Sequence, residues 1–283
     1  MNKAGSKNKS RKRNGLKHGK KRKNQKSFAP FFIAFVVIIS IILATVAVME
    51  FSRPSVEEID RLSTCSRPTG EVVCKGLDVS SYQKDIDFEK VKSQGFDFVI
   101  LRAGTGKGKD KKFDTYYKQA TNAGLDVGCY FYSYATNPEE AKQEAETTIK
   151  YIKNKKFTYP VFYDFEESDL LTYERIQVNT EMINTFCKTI KRGGFYPGVY
   201  TSSHIHRDFI DAEVIDAKWD VWIANYGTYS QYIDHSPFSN SFSMWQYTDK
   251  GVVDGISTNV DMNLCFVDYP AVVEKFNNEF GGL

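Results

Sequence analysis

The sequence predicts an α/β fold: a modified TIM-like barrel of roughly five strand–helix units followed by three strands, preceded by one transmembrane helix. Three observations predict it. Eight short apolar segments of strand length recur from Lys75 onward. Helical patterns separate the early ones, whereas loops rich in Gly, Ser, Asp and Asn join the last three. Ahead of them stands an apolar run of 22 residues, Phe28–Met49, interrupted only by Pro30, Ser40 and Thr45. Strand–helix alternation implies parallel strands with crossover helices.

The N-terminus sets the expected topology. Residues 1–27 hold twelve Lys or Arg and no acid. The run that follows is long enough, at about 1.5 Å per residue, to cross a hydrocarbon core of about 30 Å. A basic flank on one side keeps that side cytoplasmic. Residues 1–27 therefore read as a cytoplasmic tail, 28–49 as a membrane anchor and the remainder as extracellular. A cleaved signal peptide is the rival, but its apolar core usually runs about 7–15 residues, and Thr45-Val46-Ala47 is only a fair cleavage match. The net charge of +3 hides an asymmetry: without the twelve tail cations, 26 Lys+Arg face 35 Asp+Glu, a net of −9. An acidic outer part argues against nucleic acid as a partner.

Residues 50–74 read as a polar stalk carrying Pro54 and Pro68, and 75–283 as one compact domain. Its strands are expected at Gly76–Tyr82, Asp97–Ala103, Asp126–Tyr132, Pro160–Glu166, Pro197–Thr201, Asp220–Tyr226, Phe242–Tyr247 and Val260–Asn263. A helix over Phe113–Ala123 stops at Gly124. Asn137-Pro138-Glu139-Glu140 supplies an N-cap, a Pro at the first helical position and an early acid, opening a helix to about Lys155. A third helix runs from about Thr172 to Arg192, with Met182, Ile183, Phe186 and Ile190 on one face. A shorter one occupies part of Ser203–Lys218, and the loops that join the last three strands hold no strong helix. Five cysteines lack zinc-site spacing and any CxxC pair. Cys129 and Cys187 read as small buried residues. An external location permits disulfides, and any bridge among Cys65, Cys74 and Cys265 is open.

The chemistry centres on Asp164-Phe165-Glu166, which closes the apolar strand Tyr159–Tyr163. Residues i and i+2 of a strand share a face, so Asp164 and Glu166 point together. Burying like charges side by side raises the pKa of at least one. A proton donor beside a carboxylate is what glycoside hydrolysis needs. Alone, the triplet also fits an ion-paired acidic turn. In a barrel, however, chemistry gathers at the C-terminal ends of the strands, and Asp78 and Asp261 fall at such ends too. Tyr and Trp side chains accompany them, and aromatic faces stack on sugar rings.

Gly76-Leu77-Asp78-Val79-Ser80-Ser81-Tyr82-Gln83, Asp164-Phe165-Glu166, Trp222-Ile223-Ala224-Asn225-Tyr226, Trp245-Gln246-Tyr247 and Val260-Asp261-Met262-Asn263 resemble the motifs of the family 25 glycoside hydrolases. These are lysozymes, β-1,4-N-acetylmuramidases that cut peptidoglycan. The resemblance covers about Lys75 to Phe266, in family order. It implies a (β/α)5β3 barrel, Glu166 as catalytic acid/base and Asp164 as the carboxylate that assists it. It implies substrate contacts at Asp78, Tyr130, Trp222, Tyr226, Trp245 and Asp261, peptidoglycan strands as partner, and no cofactor or metal. Two departures stand out: Arg102-Ala103-Gly104-Thr105-Gly106 replaces the family's frequent Lys-Ala-Thr-Glu-Gly, and Tyr130-Phe131-Tyr132 replaces Tyr-His-Phe. A surface glycan-binding protein without catalysis is the alternative function. A metal-dependent deacetylase would want a His/Asp ligand set at strand ends. His204 and His206 instead lie in a helical segment, at a spacing that does not share a face.

Overall fold

The computed structural model describes residues 29–51, 55–66, 68–227, 238–239 and 241–280. The chain forms two compact units, Met1–Phe51 and Ser52–Leu283. In the first, α1 (Ala29–Phe51) is one helix of 23 residues, roughly 34 Å long. Its hydroxyls are satisfied within the helix: Ser40 Oγ donates to the carbonyl of Val36 at 2.9 Å, and Thr45 Oγ1 to that of Ile42 at 2.8 Å. Among the residues whose side chains are described, no helix is long and apolar enough to cross a membrane. The expected span, Phe28–Met49, extends past those residues at both ends, and the basic tail lies outside the described residues.

The second unit is a closed barrel. Its strands are β1 (Cys74–Val79), β2 (Phe98–Thr105), β4 (Asp126–Tyr132), β5 (Val161–Asp164), β6 (Pro197–Ser202), β7 (Asp220–Ala224), β8 (Met244–Gly251) and β9 (Val260–Cys265). Neighbours are parallel from β1 round to β8. The last strand, β9, runs antiparallel to both β8 and β1 and shuts the ring. A two-residue β3 (Gly108–Lys109) folds back on the end of β2. Helices α3 (Phe88–Ser93), α4 (Phe113–Asn122), α5 (Pro138–Ile152), α6 (Ile176–Arg192), and the short α7 (Ser203–Asp208) and α8 (Ala212–Asp216) make the outer layer. No helix joins β7 to β8 or β8 to β9 among the described residues, as the late loops predict. The short α3, which the sequence reading did not place, starts where Asp87 accepts from the Lys90 backbone N–H at 3.1 Å.

Alternation along each strand sorts the apolar side chains into two layers. Leu77, Val99, Leu101, Tyr163, Phe165 and Ile223 pack outward under the helices. Phe98, Ile100, Phe162, Trp222 and Met244 fill the inside of the ring. Gly76 faces inward because Phe98 needs its space: a Cβ there would lie 2.4 Å from the ring.

Two segments depart from expectation. A helix, α9 (Tyr269–Phe280), follows the last strand, with Asp268 accepting from the Ala271 N–H at 3.3 Å. Tyr269, Val273, Phe276 and Phe280 recur at helical spacing and join the inner cluster at the floor. Residues 55–66, expected as stalk, are folded onto the barrel. Ser55 and Glu58 form a capping box that starts α2 (Val56–Arg61). Lys191, 3% exposed, donates to the carbonyls of Asp60 and Leu62 at 3.1 and 2.6 Å. Ser66 donates through N and Oγ to Asp220 at 2.6 and 2.7 Å. Asp220 begins β7 and Lys191 ends α6, so the chain enters this unit at the N-terminal end of the ring.

Candidate active site

At the opposite end, the C-terminal ends of the parallel strands and the N-terminal start of the antiparallel β9, where Asp261 lies instead of at the expected strand end, surround a cavity of about 340 Å³. Asp78, Tyr130, Asp164, Glu166, Trp222, Tyr226 and Asp261 all line it. Seven of the eight expected site residues therefore meet in one place. A larger cavity, about 670 Å³, lies toward the floor between α5, α6 and α9, with Glu274 its one acidic lining residue among those described. Volume alone would choose it; the convergence of carboxylates chooses the mouth.

The backbone of the central triplet is pinned from both sides. The Ser133 N–H donates to the Asp164 carbonyl at 3.1 Å, and the Phe165 N–H to that of Tyr200 at 3.0 Å. Thr201 Oγ1 donates to the Phe165 carbonyl at 2.8 Å. Tyr163 and Phe165 are locked into the outer core, so Asp164 and Glu166 face the cavity. Asp164 is 3% exposed and its Oδ1 has no hydrogen-bond partner. Glu166 is half-buried at the mouth.

Across the cavity, Asp78 and Asp261 are register partners on β1 and β9, close enough for their carboxyls to interact. Asp78 Oδ2 accepts from Gln246 Nε2 at 2.8 Å and Asn263 Nδ2 at 2.9 Å. These donors favour the ionised form of Asp78. Burial raises Asp78 to about 6 against them, with the charge of Glu166 adding to the rise. Asp261 is pushed higher, to about 8, by burial and then by the charge of Asp78. Of the two, Asp261 is therefore the more reluctant to ionise.

Burial also raises Glu166, helped by the charges of Asp261 and Glu167. It lifts Asp164 well above the usual carboxylate range, with Glu166, Asp78 and Asp261 adding repulsion and Arg102 opposing it. Arg102 is the one basic lining residue among those described. Its guanidinium is held by Asp110 at 2.8 Å and by Ser81 Oγ at 3.3 Å.

Trp245 does not reach the cavity. Its indole is fully buried in the outer core and donates to the Asn225 carbonyl at 2.9 Å. Alternation along β8 decides this: Met244 and Gln246 face inward, so Trp245 faces out. The residue that does reach in is Gln246, absent from the expected set. Besides holding Asp78, its Oε1 accepts from Tyr200 Oη at 2.8 Å and from the Tyr226 hydroxyl. The signal was the parity of the strand itself. Arg102, Tyr132 and Tyr200 line the cavity as well. Trp222 forms its inner wall, its indole N–H bonded to Asn263 Oδ1 at 2.8 Å. Tyr82, 74% exposed, stands at the rim. His204 and His206 lie elsewhere, paired with Asp208 and Asp216.

Residues 77–256 match the family described as Glycosyl hydrolases family 25. The chain belongs to that family. An autolytic lysozyme of Clostridium acetobutylicum is 30% identical over 190 residues, covering 67% of this chain and 55% of that protein. Lysozyme M1 of Streptomyces globisporus is 29% identical over 199 residues, covering 67% and 66%. The chain thus spans about half the length of the first of these relatives and about two thirds of the second. Among solved structures, the modular autolysin LytC of Streptococcus pneumoniae, determined in complex with a synthetic peptidoglycan ligand, superposes with a TM-score of 0.58 at 25% identity, covering 68% of this chain and 46% of LytC. A family 25 glycosyl hydrolase of Bacillus anthracis shares the fold, with a TM-score of 0.54 at 23% identity, covering 72% and 93%.

In this family 25 barrel the Asp78–Asp261 pair carries a testable cost. A carboxyl whose folded pKa lies above its unfolded value of about 3.9 binds protons more tightly when folded. Its stabilising effect is therefore present at low pH and lost as pH rises from about 4 through about 8. Asp261→Asn keeps a donor toward Asp78 but cannot ionise. Thermal melts across pH should show the variant gaining on wild type from about pH 4 to about pH 8. Parallel melting curves for the two proteins would show that Asp261 does not titrate in this way.

Proposed function

We propose that the chain is a peptidoglycan hydrolase, cleaving the β-1,4 bond between N-acetylmuramic acid and N-acetylglucosamine from a membrane anchor at the cell wall. The supporting observation is the cluster of four carboxylates at the mouth of a family 25 barrel, with Asp164 at the end of β5 and Glu166 two residues beyond it, both lining the cavity.

In this reading Glu166, the more accessible of the two and raised in pKa by burial, protonates the glycosidic oxygen as the bond to the anomeric carbon breaks. The unpartnered Oδ1 of Asp164 accepts the acetamido N–H of the sugar being cleaved and steadies positive charge at its anomeric carbon. Glu166, now ionised, takes a proton from the water that adds there. Asp78, fixed by Gln246 and Asn263, adds negative potential to the same wall. Tyr82 and Tyr226 offer ring faces at the rim for stacking sugars.

The anchor belongs to the same proposal. It rests on the 23-residue apolar α1 and on the twelve-to-zero basic bias of residues 1–27. It implies an N-terminus in the cytoplasm and a barrel outside, acting locally on wall. Entry of the chain at the floor leaves the mouth open at the other end of the barrel.

Glu166→Gln preserves size and hydrogen bonding but delivers no proton. It should bind peptidoglycan while losing at least about a hundredfold in turnover, measured by release of soluble glycan. Cleavage near the wild-type rate would remove Glu166 from the acid/base role. A wild-type protein that binds glycan without cutting it would leave the glycan-binding alternative.

Protease added to intact, wall-stripped cells should remove the barrel while sparing residues 1–27. A barrel protected from that protease would refute the topology.

A further inference from the structure

The floor of the barrel holds a pair of cysteines that the mouth chemistry does not use. Cys74 opens β1, Cys265 ends β9, and the two are register partners across the antiparallel pair. Partners in such a ladder stand about 4.5–5.5 Å apart between Cα atoms, within the span of about 4.4–6.8 Å that a disulfide bridges. Both side chains face the interior. Cys265 belongs to the inner apolar cluster and Cys74 packs against it, whereas Lys75, the next residue along β1, is exposed. Tyr159, stacked on Phe98, brings its hydroxyl beside both sulfurs. That hydroxyl makes no well-formed hydrogen bond, and the bond that Cys265 Sγ donates to the Val267 carbonyl, at 3.1 Å, is a weak one that a disulfide would replace. Cys129 and Cys187 have no such arrangement: each is buried in the outer apolar layer, and neither faces a cysteine in a strand register.

The thiols are unbonded in this structure. We propose that Cys74 and Cys265 form a structural disulfide in the extracellular domain, tying the first strand of the barrel to the last. The inference rests on the external location in the functional reading, because oxidising compartments permit such bonds. The half-buried Cys74 is the thiol an oxidant can reach. Its thiolate attacks one sulfur of a disulfide carried by a thiol–disulfide oxidoreductase, and one oxidant thiol leaves. The Cys265 thiolate then attacks the Cys74 sulfur, and the second oxidant thiol leaves. Two electrons and two protons pass from the cysteines to the oxidant. Burial raises the pKa of both thiols, which favours closure while the floor is still folding.

The bond would act on the mouth from a distance. The register runs from Cys74–Cys265 through Gly76–Asn263 to Asp78–Asp261. A covalent rung at the floor fixes the alignment that sets those two acids face to face.

The full chain should be alkylated in its own membrane, extracted in detergent, digested and mapped by mass spectrometry. A Cys74–Cys265 linked peptide that disappears on reduction is the expected result. Reduction should also lower the melting temperature by at least about 5 °C, and Cys74→Ser should abolish that difference. Recovery of both cysteines in alkylated form without reduction would overturn the proposal. Protease accessibility reads topology separately, so a reduced pair in a domain shown to be external counts against the bond alone. Glycan cleavage is not part of the readout.

Discussion

The antiparallel seam between β1 and β9 is the constraint on which the barrel depends. Round the ring from β1 to β8 the barrel strands are parallel, and β9 closes it antiparallel to both its neighbours. The seam places Asp78 directly against Asp261, and two like charges at that spacing repel. Two amide donors, from Gln246 and Asn263 to Asp78, offset the repulsion, and burial beside Asp78 raises the pKa of Asp261. The same Gln246 binds the hydroxyls of Tyr200 and Tyr226. One side chain thereby couples the charge state of the seam to the aromatic wall of the cavity.

Much of this was legible because strands have a period of two. Apolar runs gave the eight strands within a few residues, and Asp164 and Glu166 share a face as their spacing requires. The same rule, not applied to Trp245-Gln246-Tyr247, would have put Gln246 in the cavity and Trp245 under the helices. Aromatic chemistry drew the expectation to the indole, but only parity decides which side chain enters. The terminal helix α9 shows helical spacing at Tyr269, Val273, Phe276 and Phe280, but no strand follows it among the described residues to mark it as a crossover. The docking of residues 55–66 was not legible at all. It depends on contacts such as Ser66 with Asp220 and Lys191 with Asp60 and Leu62, which join residues more than a hundred positions apart.

Stability and chemistry occupy opposite ends of the ring, as is general for barrels of this kind. At the floor, Tyr159, Tyr196, Tyr269 and Phe276 pack into one apolar cluster, and the entering chain is fixed by buried hydrogen bonds. At the mouth, Asp164 is buried with an unsatisfied oxygen, and burial, with charge repulsion added, raises the pKa of all four acids. Such a group costs free energy in the unliganded protein. The pinned backbone around Phe165 and the dense outer core hold it in place.

The most direct test of the account is the chemistry of the cut. Purified peptidoglycan would be digested with the full chain in detergent, reduced with borohydride and resolved by mass spectrometry. The account predicts new reducing ends that are N-acetylmuramic acid, absent from a digest with the Glu166→Gln protein. New ends that are N-acetylglucosamine, or no new ends at all, would contradict it.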